Sequence, residues 1–178
     1  MKRNVAFSLV EVTLALGVAG FCLLAVFGLI PVGINLNKAA AEQAAAMNVS
    51  SALIADARAT PTAFPVPVLP QPLSVRYGIP LPTAVATGSA QTRQVALYLT
   101  ESGEKVASAN DARYLAVVTL TGPAPSRLDA TQMHVLLTWP AQANSGLSTT
   151  ATTNGGDLRA NLKNFTGSTE TTAALNRN

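Results

Sequence analysis

A run of 23 residues without a charge, Val12–Ile34, constrains this chain of 178 residues more than any other feature. As an α-helix the run rises about 35 Å, which is enough to cross a hydrocarbon core of roughly 30 Å. Lys2 and Arg3 precede the run, and the positive-inside rule places such a basic end on the cytoplasmic side. The sequence therefore predicts a single membrane-spanning helix, with the rest of the chain on the other side of the membrane.

Glu11 is the one acid in the apolar stretch that begins at Phe7. A carboxylate inside a membrane span costs up to about 2.5–3.5 kcal/mol on insertion scales, less near the interface, so it calls for a partner charge. Cleavage between Ala6 and Phe7 would create an α-amine at Phe7 that is positive at neutral pH. Glu11 of a neighbouring chain could pair with this amine in a low dielectric. Because desolvation opposes the pair, its expected role is to set the register between chains.

The segment Ala6-Phe7-Ser8-Leu9-Val10-Glu11, followed by the long apolar run, resembles the prepilin cleavage and methylation motif of type IV pilins and pseudopilins. The resemblance implies cleavage by a prepilin peptidase after Ala6, N-methylation of Phe7, and a role for Glu11 in docking subunits. The family prefers glycine before the cut, where this chain has Ala6. The helix-bending proline of the family corresponds to Pro31, a few residues later than usual, so Pro31 is the predicted position of a kink.

Two further likenesses are looser. The ending Val-Leu-Leu-Thr-Trp-Pro at residues 135–140 is similar to PilV-like minor pilins, and the chain loosely resembles pilin-like proteins encoded in multi-gene cassettes of verrucomicrobia. The family resemblance implies a structural, minor subunit of a type IV pilus or a type II secretion pseudopilus. The implied partners are other pilin or pseudopilin subunits, the prepilin peptidase and the inner membrane. The C-terminal domain would be periplasmic before the subunit enters the filament.

Three alternatives remain open. Ala39-Ala40-Ala41 before Glu42 has the A-x-A form of a signal-peptidase site and would give a mature chain starting at Glu42, although a secretory signal normally has a shorter apolar core without an acid. The chain could also be a single-pass, exported binding module that does not polymerise. A minor pilin for DNA uptake would need a basic face, which the scattered basic residues do not predict.

The pattern beyond the span predicts an α+β, pilin-like fold. An Ala-rich helical continuation should pack on a sheet through Met47, Leu53 and Ile54. Seven prolines within 60–82 predict an extended connecting loop at the surface. Three alternating runs then predict an antiparallel meander whose apolar face covers the helix: Gln94–Glu101, Arg113–Thr121 and Gln132–Trp139.

The sequence divides into six predicted segments. They are a leader (1–6), a transmembrane and assembly helix (7–34), an amphipathic continuation (35–58), a Pro-rich loop (59–93), the meander (94–140) and a polar C-terminal region (141–178). Within the last region, Leu158–Phe165 is the predicted edge strand, and the remainder is predicted to be loop or tail.

The residues that could carry chemistry have simpler structural interpretations. His134, the only histidine, is predicted to be a solvated strand residue, and Trp139 a core residue. Gly155-Gly156-Asp157 is predicted to form a turn and not a calcium site, and the lone Cys22 excludes an intramolecular disulfide.

The chain also lacks the motifs of common enzymes. It contains no HExxH, GxSxG, GxGxxG or Walker-type sequence. Net charge is +3, and Lys2 and Arg3 supply two of the twelve basic side chains against nine acidic ones. The sequence therefore predicts a protein that is not an enzyme, with no cofactor, no metal and no nucleic-acid partner.

Overall fold

The computed structural model describes residues 8–60, 73–82, 92–122, 130–150, 152–153 and 157–175. The chain divides into two compact units, Met1–Glu42 and Gln43–Asn178. In chain order the elements are α1 (Leu9–Ala59), β1 (Thr92–Leu99), β2 (Lys105–Val106), β3 (Tyr114–Thr121), β4 (Thr131–Trp139), the 3-10 turn Ala141–Asn144, β5 (Thr152–Thr153), the 3-10 turn Leu158–Asn161 and β6 (Gly167–Leu175). This is the predicted α+β arrangement of a long N-terminal apolar helix and an antiparallel sheet.

The C-terminal part of α1, within the second unit, packs on one face of the sheet. Its buried residues are Ala46, Val49, Ser50, Leu53, Ile54 and Ala57. They recur at the three- and four-residue spacing of one helix face, and they form one core with residues of β1, β3, β4 and β6. Leu53 and Ile54 confirm the prediction. Met47 is 46% exposed, so its predicted contact with the sheet is wrong, because it lies one position beside this stripe.

The strands form a single antiparallel sheet in the order β2-β1-β3-β4-β6, with β5 pairing to β1. The predicted meander is confirmed as β1, β3 and β4, with strand starts, and the end of β1, that differ by one or two residues. Alternate residues of β4 face the helix, among them Val135 and Leu137. The opposite face of the sheet carries a smaller apolar cluster, in which Tyr98, Leu115 and Leu158 are buried. Loops therefore cover part of the outer face.

The predicted edge strand is wrong in position. Leu158–Phe165 contains the 3-10 turn Leu158–Asn161, which begins where the Asp157 side chain accepts a hydrogen bond from Arg159 N. The edge strand is β6, in the part predicted to be loop or tail, and it pairs with β4 through nine residues. The physical reason is a set of tertiary contacts that the local sequence pattern does not show. A Thr-rich segment fits a pleated surface, and this register buries Leu175 in the core on the helix side.

The Pro-rich segment is also more than a surface connection. Residues 61–72 and 83–91 lie outside the described residues, but 73–82 forms a turn closed by a bridge between Leu73 and Pro80. Its Tyr77, Ile79 and Leu81 are buried in the main core. For these ten residues the prediction of an exposed loop is wrong, because alternate side chains supply core volume next to α1.

Hydrogen bonds hold this turn against the helix and the sheet. The Asp56 carboxylate of α1 accepts from Arg76 N at 3.1 Å and from Tyr77 N at 3.2 Å. The Tyr77 hydroxyl donates to Gly103 O at 3.0 Å, and Lys105 Nζ donates to Tyr77 O at 2.9 Å. Burial raises the pKa of the Tyr77 hydroxyl above its ordinary value, with Arg76 opposing this rise and Asp56 adding to it. The turn therefore links α1 to the β1–β2 hairpin.

Candidate functional site: the N-terminal apolar helix

The first half of α1 is apolar on all sides and exposed in the single chain. Large side chains from Leu9 to Leu36 are about half or more exposed, with Leu9 at 81% and Leu24 at 73%. Among the described residues, α1 is the one helix long and apolar enough to cross a membrane, and its most apolar window is not buried by the rest of the chain. An apolar surface of this size needs either lipid or other protein chains around it.

Glu11 lies in the first turn of α1, where an acid interacts favourably with the positive end of the helix dipole. Ser8 O accepts hydrogen bonds from Glu11 N at 3.0 Å and from Val12 N at 3.2 Å, which closes this turn. The next basic residue within α1 is Lys38, about 40 Å further along the helix at 1.5 Å per residue. A cation for the Glu11 carboxylate must therefore come from outside this part of the helix.

The roles predicted for the other residues of this site stay predictions. Ala6 and Phe7 lie outside the described residues, so cleavage between them stays a prediction. Pro31 lies inside α1, which continues through it, and the predicted kink at Pro31 also stays a prediction. Cys22 is exposed on the helix.

A polar cluster occupies the outer face of the sheet. His134 of β4 contacts Glu170 of β6 through Nε2 and Oε1, and Arg159 Nη2 binds the same Glu170 oxygen at 2.7 Å. The His134 side chain is 21% exposed, so it is more buried than the predicted solvated strand residue. Glu170 remains about half exposed, which limits the strength of both pairs. The cluster joins β4, β6 and the 3-10 turn that carries Arg159.

Asp157 fastens the same turn to the sheet. Its carboxylate accepts from Arg159 N at 3.0 Å and from Gln94 Nε2 at 3.1 Å, and Leu158 N donates to Gln94 Oε1 at 2.9 Å. The hydrogen bond from Arg159 N lowers the pKa of the Asp157 carboxyl, with smaller contributions from Gln94 and from nearby positive charge. Asp157 therefore caps the turn Leu158–Asn161. Gly155 and Gly156 lie outside the described residues, so the turn predicted at 155–157 stays a prediction.

The remaining candidates for chemistry are a metal-binding group and Trp139. Within the described ranges, no group of three or more His, Cys, Asp or Glu side chains is placed to hold a metal ion. Trp139 is 6% exposed and packs edge-on against Tyr114, with ring centroids 5.9 Å apart, which confirms it as a core residue. The apolar helix with Glu11 remains the strongest candidate functional site.

Sequence reasoning missed two parts of the sheet unit. The alternation Tyr77, Ile79, Leu81 and the alternation Thr169, Thr171, Ala173, Leu175 are both strand-like signals, but prolines and polar neighbours obscured them. Of these two segments, β6 forms one edge of the sheet.

No protein-family model, no curated protein and no solved structure matches this chain.

Proposed function

We propose that this protein is a non-enzymatic, structural subunit of a type IV pilus or a type II secretion pseudopilus, held in the inner membrane by α1 before assembly. Prepilin peptidase removes residues 1–6, Phe7 becomes the methylated N-terminus, and the sheet unit lies in the periplasm. Neighbouring subunits then surround the apolar half of the helix, so that lipid is exchanged for protein.

The observation that carries the proposal is an acid in an exposed apolar helix whose first basic residue, within the described part of the chain, is Lys38. Glu11 precedes about 40 Å of α1 without a cation, while the α-amine of a cleaved Phe7 would lie four positions before it. In a filament, the amine of one chain and the carboxylate of the next can pair away from water. Removing one member of such a pair leaves an unpaired buried charge, which is strongly destabilising.

The first test is the N-terminus of the protein expressed in a bacterium that has a prepilin peptidase. Intact-mass and terminal-peptide measurements should show a chain that begins at Phe7 and carries one methyl group. Ala6→Gly should be processed at least as well, whereas Ala6→Leu should retain the leader because the site takes a small residue. A mature chain that begins at Glu42 would identify a secretory signal and overturn the proposal.

The second test separates an assembling subunit from an anchored module. Glu11→Ala should still be cleaved but should no longer co-purify with sheared filaments or cross-link to neighbouring subunits through the helix. Glu101→Ala, which removes an exposed acid of the sheet unit, is the matched control and should assemble normally. Unchanged assembly of Glu11→Ala would favour the module that does not polymerise.

A further inference from the structure

Strand β6 forms one complete edge of the sheet. It pairs with β4 from Gly167 to Leu175 without a break in register, and among the described strands it has no second neighbour. The opposite edge differs, because β2 pairs with the end of β1 at Tyr98 and Leu99, and β5 pairs near its start at Arg93 and Gln94. Only the β6 edge is long and continuous.

The backbone groups that β6 presents outward can be assigned. Ala174 O accepts a hydrogen bond from Arg58 Nη2 at 3.4 Å, so this carbonyl points away from β4. Antiparallel neighbours alternate between paired and unpaired backbone groups. The outward N–H and C=O groups therefore belong to Ser168, Glu170, Thr172 and Ala174.

Several of the usual protections of an edge strand are missing from β6. Natural edges are commonly blocked by lysine, proline, a bulge or a very short strand. Residues 167–175 contain no lysine and no proline, and their register with β4 has no bulge. The one charged residue, Glu170, is bound by His134 and Arg159 on the outer face. Among the described residues, no strand pairs with the outer side of β6.

A groove accompanies this edge on the helix side. It has a volume of about 630 Å³ and lies within the Gln43–Asn178 unit, between α1 and β6. Its walls are mostly small side chains, with Arg58 as the single charge; they are Ser51, Ile54, Ala55, Arg58, Ala59, Thr172 and Ala173. Alternate side chains of a strand added to β6 would point into this groove.

We propose that β6 binds an extended segment of another protein chain by strand addition. The segment has small, uncharged side chains toward the groove and a carboxylate near Arg58. Strand addition takes its affinity from backbone hydrogen bonds and its specificity from alternate side chains. Arg58 supplies the charge complementarity, because a carboxylate there can take over the guanidinium that now binds Ala174 O. The inference goes beyond the proposed function, since it depends only on the second unit.

The test uses the full chain in detergent micelles and the synthetic peptide Gly-Ser-Asp-Glu-Thr-Thr-Ala-Ala-Leu. This is the β6 sequence with Asp in its third position. Antiparallel pairing centred on Thr171 places this Asp opposite Ala173, whose side chain faces the helix side, where Arg58 and Ala173 line the groove. Amide hydrogen exchange, followed by NMR, should slow at Ser168, Glu170, Thr172 and Ala174 when the peptide is added. Amides at the odd-numbered positions of β6, already bonded to β4, should not change.

Controls on the peptide leave the protein untouched. N-methylation at peptide positions four and six, whose N–H groups face β6, should abolish binding. N-methylation at positions three and five, which face away, should preserve it. Binding that ignores this distinction would show non-specific adsorption and overturn the proposal.

Variants of the protein give a second, independent readout. Thr172→Pro should lose peptide binding, because proline removes an outward N–H yet is tolerated on an edge strand, whereas Thr172→Val should retain it. Arg58→Gln should weaken the Asp peptide by up to about fivefold and leave the peptide with Thr in that position unaffected. Slow exchange at Thr172 in the chain alone would show that its own residues already cover the edge, and would refute the proposal.

Discussion

Gly167→Ala should destabilise the sheet unit through a direct clash at the first residue of β6. A Cβ at this position would lie 2.2 Å from Cε2, 2.3 Å from Cζ2 and 2.4 Å from Nε1 of Trp139. The indole cannot move aside easily, because it is buried and packs edge-on against Tyr114. Overpacking in a core costs typically 1–3 kcal/mol, and a rigid ring at these distances places the expected loss of unfolding free energy at about 3 kcal/mol. Tm should fall by roughly 6–12 °C, at 2–4 °C per kcal/mol for a chain of this size.

The assay is urea unfolding of the full chain in detergent, followed by tryptophan fluorescence, because Trp139 is the only tryptophan. Its emission should shift to the red in folded Gly167→Ala as the ring is displaced toward water. Gly146→Ala is the matched control, since a Cβ there meets nothing within 4 Å. If Gly167→Ala and Gly146→Ala unfold at the same urea concentration with the same emission, the close approach of Gly167 to Trp139 is refuted.

Two further predictions concern the links between elements. Tyr77→Phe removes the hydrogen bond to Gly103 O and should lower the unfolding free energy by about 1 kcal/mol in urea titrations. Burial raises the pKa of the Tyr77 hydroxyl in the folded state. The contribution of Tyr77 to the unfolding free energy should therefore be complete below pH 10 and decline as pH rises through the folded pKa. Tyr77→Phe should lose less unfolding free energy at alkaline pH than the unaltered protein, and an equal loss would contradict this. Glu170→Gln weakens the contacts to His134 and Arg159, but the half-exposed site limits the loss to less than about 1 kcal/mol. A larger loss, or one that persists in high salt, would show that the cluster is more than a surface ion pair.

The parts of the fold that sequence reasoning predicted are those with strong periodicity. The uncharged run predicted the helix, and the alternation in β1, β3 and β4 predicted the meander with errors of one or two residues at the strand ends. The helix face was predicted from Leu53, Ile54 and Met47, because Met47 recurs with them near helical spacing. The structure uses the smaller Ala46 and Val49 instead, since they lie on the same stripe as Leu53.

The parts that sequence reasoning missed depend on tertiary contacts. Strand β6 has only one large apolar side chain, Leu175, and its stability comes from nine pairings with β4 that no local pattern announces. Residues 73–82 include Pro80 and Pro82, which predict a loop. Asp56 nevertheless accepts hydrogen bonds from the backbone N–H groups of Arg76 and Tyr77, and these contacts fix the turn. The candidate site could be predicted from the sequence. Glu11 is an acid in an apolar run, and this is visible without any knowledge of tertiary contacts.

The two proposed interaction surfaces belong to different units, and this makes their independence testable. Glu11 lies in Met1–Glu42, and the β6 edge with Thr172 lies in Gln43–Asn178. Effects at distant sites without shared partners usually add, so Glu11→Ala should abolish assembly without changing peptide binding to β6. Thr172→Pro should do the reverse, abolishing strand addition while helix-mediated assembly continues. If Thr172→Pro impaired assembly while Thr172→Val did not, the strand that pairs with β6 in the filament would come from the neighbouring subunit. Loss of peptide binding in Glu11→Ala would instead contradict the independence of the two surfaces.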